Sequence, residues 1–142
     1  MKKIVYIDMD GVLADFSKAY LEQYSSDMKF PQAAYGFFLN LDPMPGAIDA
    51  FNVLSRRYDV WIATAPSIHN PMCYTEKRAW VEKHLGMWAV EKLIIIPDKS
   101  LLLGDYLIDD NTSGKGQDRF QGKLIHFKGS WDDILKKHLL KH

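Results

Sequence analysis

The stretch Ile4-Val5-Tyr6-Ile7-Asp8-Met9-Asp10-Gly11-Val12-Leu13-Ala14-Asp15 begins as an apolar run and stops abruptly at two acids separated by one residue. A short run of β-branched and aromatic residues closed by a turn residue reads as a buried strand. Side chains two apart on a strand share a face, so Asp8 and Asp10 are expected side by side at one edge of a sheet, with Gly11 turning the chain away. Carboxylates held that close call for a cation or a proton between them. A lone Asp-x-Asp-Gly is also a common acidic turn, so the decision rests on what recurs downstream.

Comparable strand ends do recur. Asp59-Val60-Trp61-Ile62-Ala63-Thr64 is a second β-favouring run and ends in a hydroxyl; Lys92 to Ile96 is a third, with Pro97 and then Lys99 behind it. Tyr106-Leu107-Ile108 is a fourth, ending in Asp109-Asp110-Asn111, and Leu124-Ile125-His126-Phe127 is a fifth. Helical spacing is expected over Ala14 to Tyr24, with Phe16, Tyr20, Leu21 and Tyr24 on one apolar face, from Ala47 to Arg57, and from Thr75 to Leu85. Ser130 caps a last helix, with Asp133 in a capping-box-like relation. Ser25 to Asp42 is rich in aromatics without a long period and reads as a small insertion of helical turns.

Strands alternating with helices predict an α/β fold: a doubly wound, Rossmann-like parallel sheet of five strands in the order 3-2-1-4-5, helices on both faces, and a small helical cap insertion after the first strand. Residues 1–142 are expected to form one domain, the insertion occupying about 17–42, since a chain of this length supports a real core. Trp61, Trp80, Trp88 and Trp131 fall in strand or helix patterns and are expected in that core.

Lys plus Arg and Asp plus Glu each number 18 and are mixed along the chain, which argues against a nucleic-acid polymer or a membrane as main partner and for a small ligand. Met1-Lys2-Lys3 leads straight into the first strand, so no signal peptide is expected. Cys73 is the only cysteine, which excludes an internal disulfide and makes the cytoplasm the expected compartment. His69, His84, His126, His138 and His142 lack metal-ligand spacing, so none is assigned to a zinc site.

In open parallel sheets ligands bind beyond the carboxyl ends of the strands. Four strands here bring Asp8 and Asp10, Thr64, Lys99, and Asp109 with Asp110 to that edge. Carboxylate oxygens from the first and fourth strands suit Mg²⁺, while the Lys99 ammonium and the Thr64 hydroxyl suit phosphate oxygens. One carboxylate can attack phosphorus, and another two residues away can protonate the leaving oxygen and then activate water.

Asp8-Met9-Asp10-Gly11-Val12-Leu13-Ala14-Asp15, Thr64, Lys99 and Leu107-Ile108-Asp109-Asp110 together resemble the haloacid dehalogenase superfamily of phosphatases. Asp42-Pro43-Met44-Pro45-Gly46-Ala47, Ile62-Ala63-Thr64-Ala65-Pro66 and Glu76-Lys77-Arg78-Ala79-Trp80-Val81-Glu82-Lys83 are similar to the 5′(3′)-deoxyribonucleotidases within it. The resemblance implies hydrolysis of a nucleoside monophosphate with Asp8 as nucleophile and Asp10 as acid/base. It further implies Mg²⁺ held by Asp8, the backbone oxygen of Asp10, and Asp110, with Asp109 in support. Thr64 and Lys99 would hold the phosphate with help from Lys77, and Phe16 and Phe38 match positions lining the nucleoside pocket. Ala65 stands where the family has a serine, and Ser17 to Leu41 is shorter than the family's cap, without its base-contacting aromatic and arginine segment.

Alternatives stay open at this point. The same chemistry on another small phosphomonoester, such as a sugar phosphate, is one. A phospho-aspartate signalling switch ranks below it, because the third strand ends in Ile96-Pro97 and not in an accepting acid. Lys77, early in a helix, also reads as a residue of a solvated face, and Phe16 and Phe38 as packing. Oligomeric state is left open, a homo-oligomer closing the short cap being one option.

Overall fold

The computed structural model describes residues 1–140, so His142 and the last two positions of the expected domain lie outside the described residues. Its sheet consists of β1 (Ile4–Ile7), β2 (Asp59–Thr64), β3 (Leu93–Ile95), β4 (Tyr106–Asp109) and β5 (Lys123–His126). The order is β3-β2-β1-β4-β5 with every neighbouring pair parallel, as the alternation of strands and helices predicts. β1 lies at the centre, Ile7 pairing with Ile62 on one side and Ile108 on the other. A central parallel strand is buried on both faces, which is why it reads as an unbroken apolar run. The strand order changes direction on either side of β1, so the loops leaving β1 and β4 diverge and open a crevice between them.

The two faces are covered unequally. Val5, Ile7, Ile62, Ile108 and Ile125 pack under α2 (Ala47–Arg57), α3 (Cys73–Leu85), α4 (Met87–Val90) and α5 (Trp131–Ile134), which runs on as a π-helical turn to Leu139. Tyr6, Ala63 and Leu107 on the other face meet Leu102 and Phe120, each at the end of a 3₁₀ helix, Lys99–Leu101 and Gln117–Arg119. Among the described residues no helix is long and apolar enough to cross a membrane.

Between β1 and α2 come α1 (Phe16–Gln23) and a 3₁₀ helix, Pro31–Ala33. Pro31, Phe37, Phe38 and Leu41 anchor this insertion in the core. The apolar face expected of α1 meets the core only through Phe16, Ala19 and Tyr20; no residue of the helix is buried, and Leu21 and Tyr24 are exposed. The insertion is too short to wrap both sides of the helix. Trp80 and Trp131 are buried as expected and Trp61 half-buried, but Trp88 is 48% exposed. That correction has a local cause: Gly86 breaks the helical run, and the single turn of α4 turns Ala89 inward while Trp88 leans on Phe51 from outside.

Candidate active site

β1 ends at Ile7, so the two acids are carried by a tight turn, not by the pleat of the strand. Asp8 continues the ladder with its N–H donating to the Ile108 carbonyl at 2.9 Å. The Met9 carbonyl then accepts from Leu13 and Ala14, both at 2.9 Å, which folds the chain back over Gly11. Gly11 has φ +82°, and a Cβ there would run into the Asp110 carboxylate. The glycine thus supplies both the left-handed turn and the room for the acid of β4 to approach the acids of β1.

Lys99 binds the two strands' acids together. Its Nζ donates to Asp8 Oδ1 at 2.8 Å and to Asp109 Oδ2 at 2.6 Å, and all three side chains are buried. Burial works against the ammonium, but the charges of Asp8 and Asp109 outweigh it and hold Lys99 above its ordinary range. Burial pushes the Asp8 carboxyl well above the usual carboxylate range, with the neighbouring Asp109 and Asp10 adding to the effect and Lys99 only partly opposing it. Asp110 is raised as well, chiefly by burial and then by the charge of Asp109.

Lys77 is fully buried, which removes the solvated-face alternative for it. Its Nζ donates to Thr64 Oγ1 at 2.6 Å, to the Ala65 carbonyl at 2.7 Å and to Asp10 Oδ2 at 3.0 Å. Thr64 is equally buried; its hydroxyl holds the Lys77 ammonium, and Lys77 in turn braces Asp10. The ammonium also stands 5.0 Å from the ring centre of Phe38.

The cavity at this edge has a volume of about 280 Å³. Asp8, Asp10, Lys99, Asp109 and Asp110 form its polar end, and Phe16, Phe38 and Pro66 its apolar walls. Gln32, Ser67, Lys115 and Gln117 also line it and were not singled out by motif. Lys115 and Gln117 did carry a signal in the glycines around them. Gly116, at φ +85°, lets the loop close on the Lys99 turn, where the Lys99 N–H donates to the Lys115 carbonyl at 2.7 Å. Gln117 then donates to Asp109 Oδ2 at 3.4 Å.

Asp8, Asp109 and Asp110 bring carboxylate oxygens within 4.8 Å of one another, and no histidine or cysteine joins the group among the described residues. Asp109 therefore stands inside the acid cluster and not merely beside it. Four carboxyl groups, counting Asp10, face two lysine ammoniums. Asp110 Oδ1 and Asp10 Oδ1 are buried with no hydrogen-bond partner. Buried polar atoms without partners are uncommon, and oxygen atoms so placed are suited to a hard divalent cation.

A family model described as 5′ nucleotidase, deoxy (pyrimidine), cytosolic type C protein matches residues 28–139. The chain belongs to this family. A protein of Vibrio phage KVP40, provisionally named 5′(3′)-deoxyribonucleotidase, is 41% identical over 131 residues, spanning 89% of this chain and 76% of the phage protein. The cytosolic-type human 5′(3′)-deoxyribonucleotidase is 34% identical over 92% of this chain and 78% of its own length. The mitochondrial mouse 5′(3′)-deoxyribonucleotidase is 31% identical over 92% of this chain and 71% of its own length. The nucleotidase resemblance carried by the motifs is thereby borne out.

Proposed function

We propose that this protein is a Mg²⁺-dependent phosphomonoesterase that hydrolyses deoxyribonucleoside 5′(3′)-monophosphates through an aspartyl-phosphate on Asp8. The observation that carries the reading is the division of one cavity into a charged end, with Asp8 locked to Lys99, and an aromatic end formed by Phe16 and Phe38. A phosphate fits the first and a nucleoside the second.

Asp8, Asp110 and the backbone oxygen of Asp10 would hold the metal, with Asp109 close enough to support or join them. When bound, Mg²⁺ offsets the charge of the acids and of the phosphate, so that an anionic nucleophile meets an anionic substrate without net repulsion. Lys99 fixes the Asp8 carboxylate and presents positive charge to the phosphoryl oxygens. Asp8 attacks phosphorus as the ester P–O bond breaks, and Asp10 delivers its proton to the leaving oxygen. Asp10 then takes a proton from water as the water attacks phosphorus and the Asp8–phosphorus bond breaks, which restores both acids. Lys77, itself held by the Thr64 hydroxyl, supports the phosphate end by holding Asp10 in place. The human relative is of the cytosolic type, which supports a cytoplasmic site of action.

Phosphate release measured over a panel of dUMP, dTMP, ribonucleotides and sugar phosphates, with Mg²⁺ or with EDTA, tests the proposal. The expected ranking by kcat/KM is led by a deoxyribonucleotide, and chelation abolishes turnover. A sugar phosphate at the head of the ranking would overturn the substrate, and full activity in EDTA would overturn the role of the metal.

A further inference from the structure

The cap insertion is held in place by α3 and the loop before it, and the contacts are unusual in kind. Glu76 is 6% exposed and makes no ion pair among the described residues. Instead its carboxylate accepts three backbone N–H groups of the insertion. Oε2 accepts from Gly36 at 2.8 Å, and Oε1 from Phe38 at 3.1 Å and Leu39 at 3.3 Å. A carboxylate receiving several backbone N–H groups is a strong, directional anchor. Asn70, 1% exposed, holds the same segment from its other end, its Nδ2 donating to the carbonyls of Gln32 at 3.1 Å and Ala34 at 3.2 Å.

The clamped segment, 32–39, contains Gln32 and Phe38, which both border the cavity, Phe38 as a 1% exposed ring packed against Phe16 directly behind its wall. The residue after Glu76 is Lys77, which braces Asp10 and stands over the Phe38 ring. One turn of α3 thus reaches both the cap and the acid end, through adjacent residues with different partners.

We infer that Glu76 is a positioning residue for substrate selection, holding the segment that carries Gln32 and the Phe38 ring against the cavity so that a nucleoside meets a preformed wall, while Lys77 separately serves the chemical end. The inference rests on the nucleotidase reading above. It assigns recognition of the nucleoside half to a clamp of side chains beneath the insertion, in place of a longer cap.

The test is Glu76→Gln, which keeps size and shape but replaces one acceptor oxygen with an NH₂ group that cannot accept from a backbone N–H. With dUMP and Mg²⁺, KM is expected to rise roughly tenfold or more, while kcat and inhibition by inorganic phosphate, which probes the charged end alone, stay at wild-type values. A merely structural role would shift all three together. Should Glu76→Gln not yield folded protein, Asn70→Ala carries the same expectation from the other end of the segment. Wild-type protein that does not hydrolyse dUMP overturns the nucleotidase reading and the nucleoside role with it. Wild-type protein that does, beside a variant whose KM is unchanged or whose kcat and phosphate inhibition fall in step with it, overturns this inference alone.

Discussion

Gly11 shows how much of the site hangs on one missing Cβ. The position needs a positive φ, and its α-carbon faces the Asp110 carboxylate so closely that any side chain would displace that acid. Gly11→Ala is therefore expected to do two separable things. The left-handed backbone costs about 1 kcal/mol of stability, and displacing Asp110 weakens the proposed Mg²⁺ site. The second effect is read by titrating activity with Mg²⁺: the concentration giving half-maximal activity rises at least severalfold in the variant. Unchanged Mg²⁺ dependence would mean that Asp110 is not a ligand. Lys99 illustrates the complementary rule, that a buried ammonium survives only where several acids face it. Its place near strand β3 is plain in the sequence, but its two simultaneous partners come from the turn after β1 and from β4, 91 and 10 residues away.

At the level of the elements, the C-terminal helix acts on the acidic turn across the whole chain. Trp131, first residue of α5, is buried and donates its indole N–H to the Val12 carbonyl at 2.8 Å. Trp131→Phe keeps most of the apolar bulk but leaves the Val12 acceptor alone in the core, and a destabilisation of about 1–3 kcal/mol is expected. Urea unfolding measures it; a midpoint equal to wild type would show that water or another donor replaces the indole. The strands themselves are legible in the sequence, since residues buried on both faces of a parallel sheet have no room for polar interruption. β2 is legible to the residue and β3, β4 and β5 to within one residue at either end, whereas β1 stops at Ile7, short of the two acids that its pleat is expected to carry. The helices are less so. α4 escapes notice because four residues give no period, and Trp88 reads as core only while the run before Gly86 is imagined to continue. Lys77 reads as exposed because lysine usually is. It is buried because Asp10, Thr64 and the Ala65 carbonyl together accept all three of its donors, a coincidence of three elements that local spacing cannot display.

Across the whole molecule, the sheet gathers at one edge groups that lie far apart along the chain. The acids Asp8, Asp10, Asp109 and Asp110 and the bases Lys77 and Lys99 converge there. The polar end was legible because each contributor stands at a strand end and the topology follows from the alternation of elements. The lining by Gln32, Ser67, Lys115 and Gln117 was not, because loops pack according to the whole fold and not their own pattern. The proposed chemistry turns on a bond from Asp8 to phosphorus. Asp8→Asn is nearly isosteric and removes a charge that burial disfavours, so the variant is expected to fold. Its rate of phosphate release from dUMP in saturating Mg²⁺, measured on protein whose circular dichroism matches wild type, is predicted to fall by at least about a thousandfold, whereas turnover within a few-fold of wild type would contradict the account.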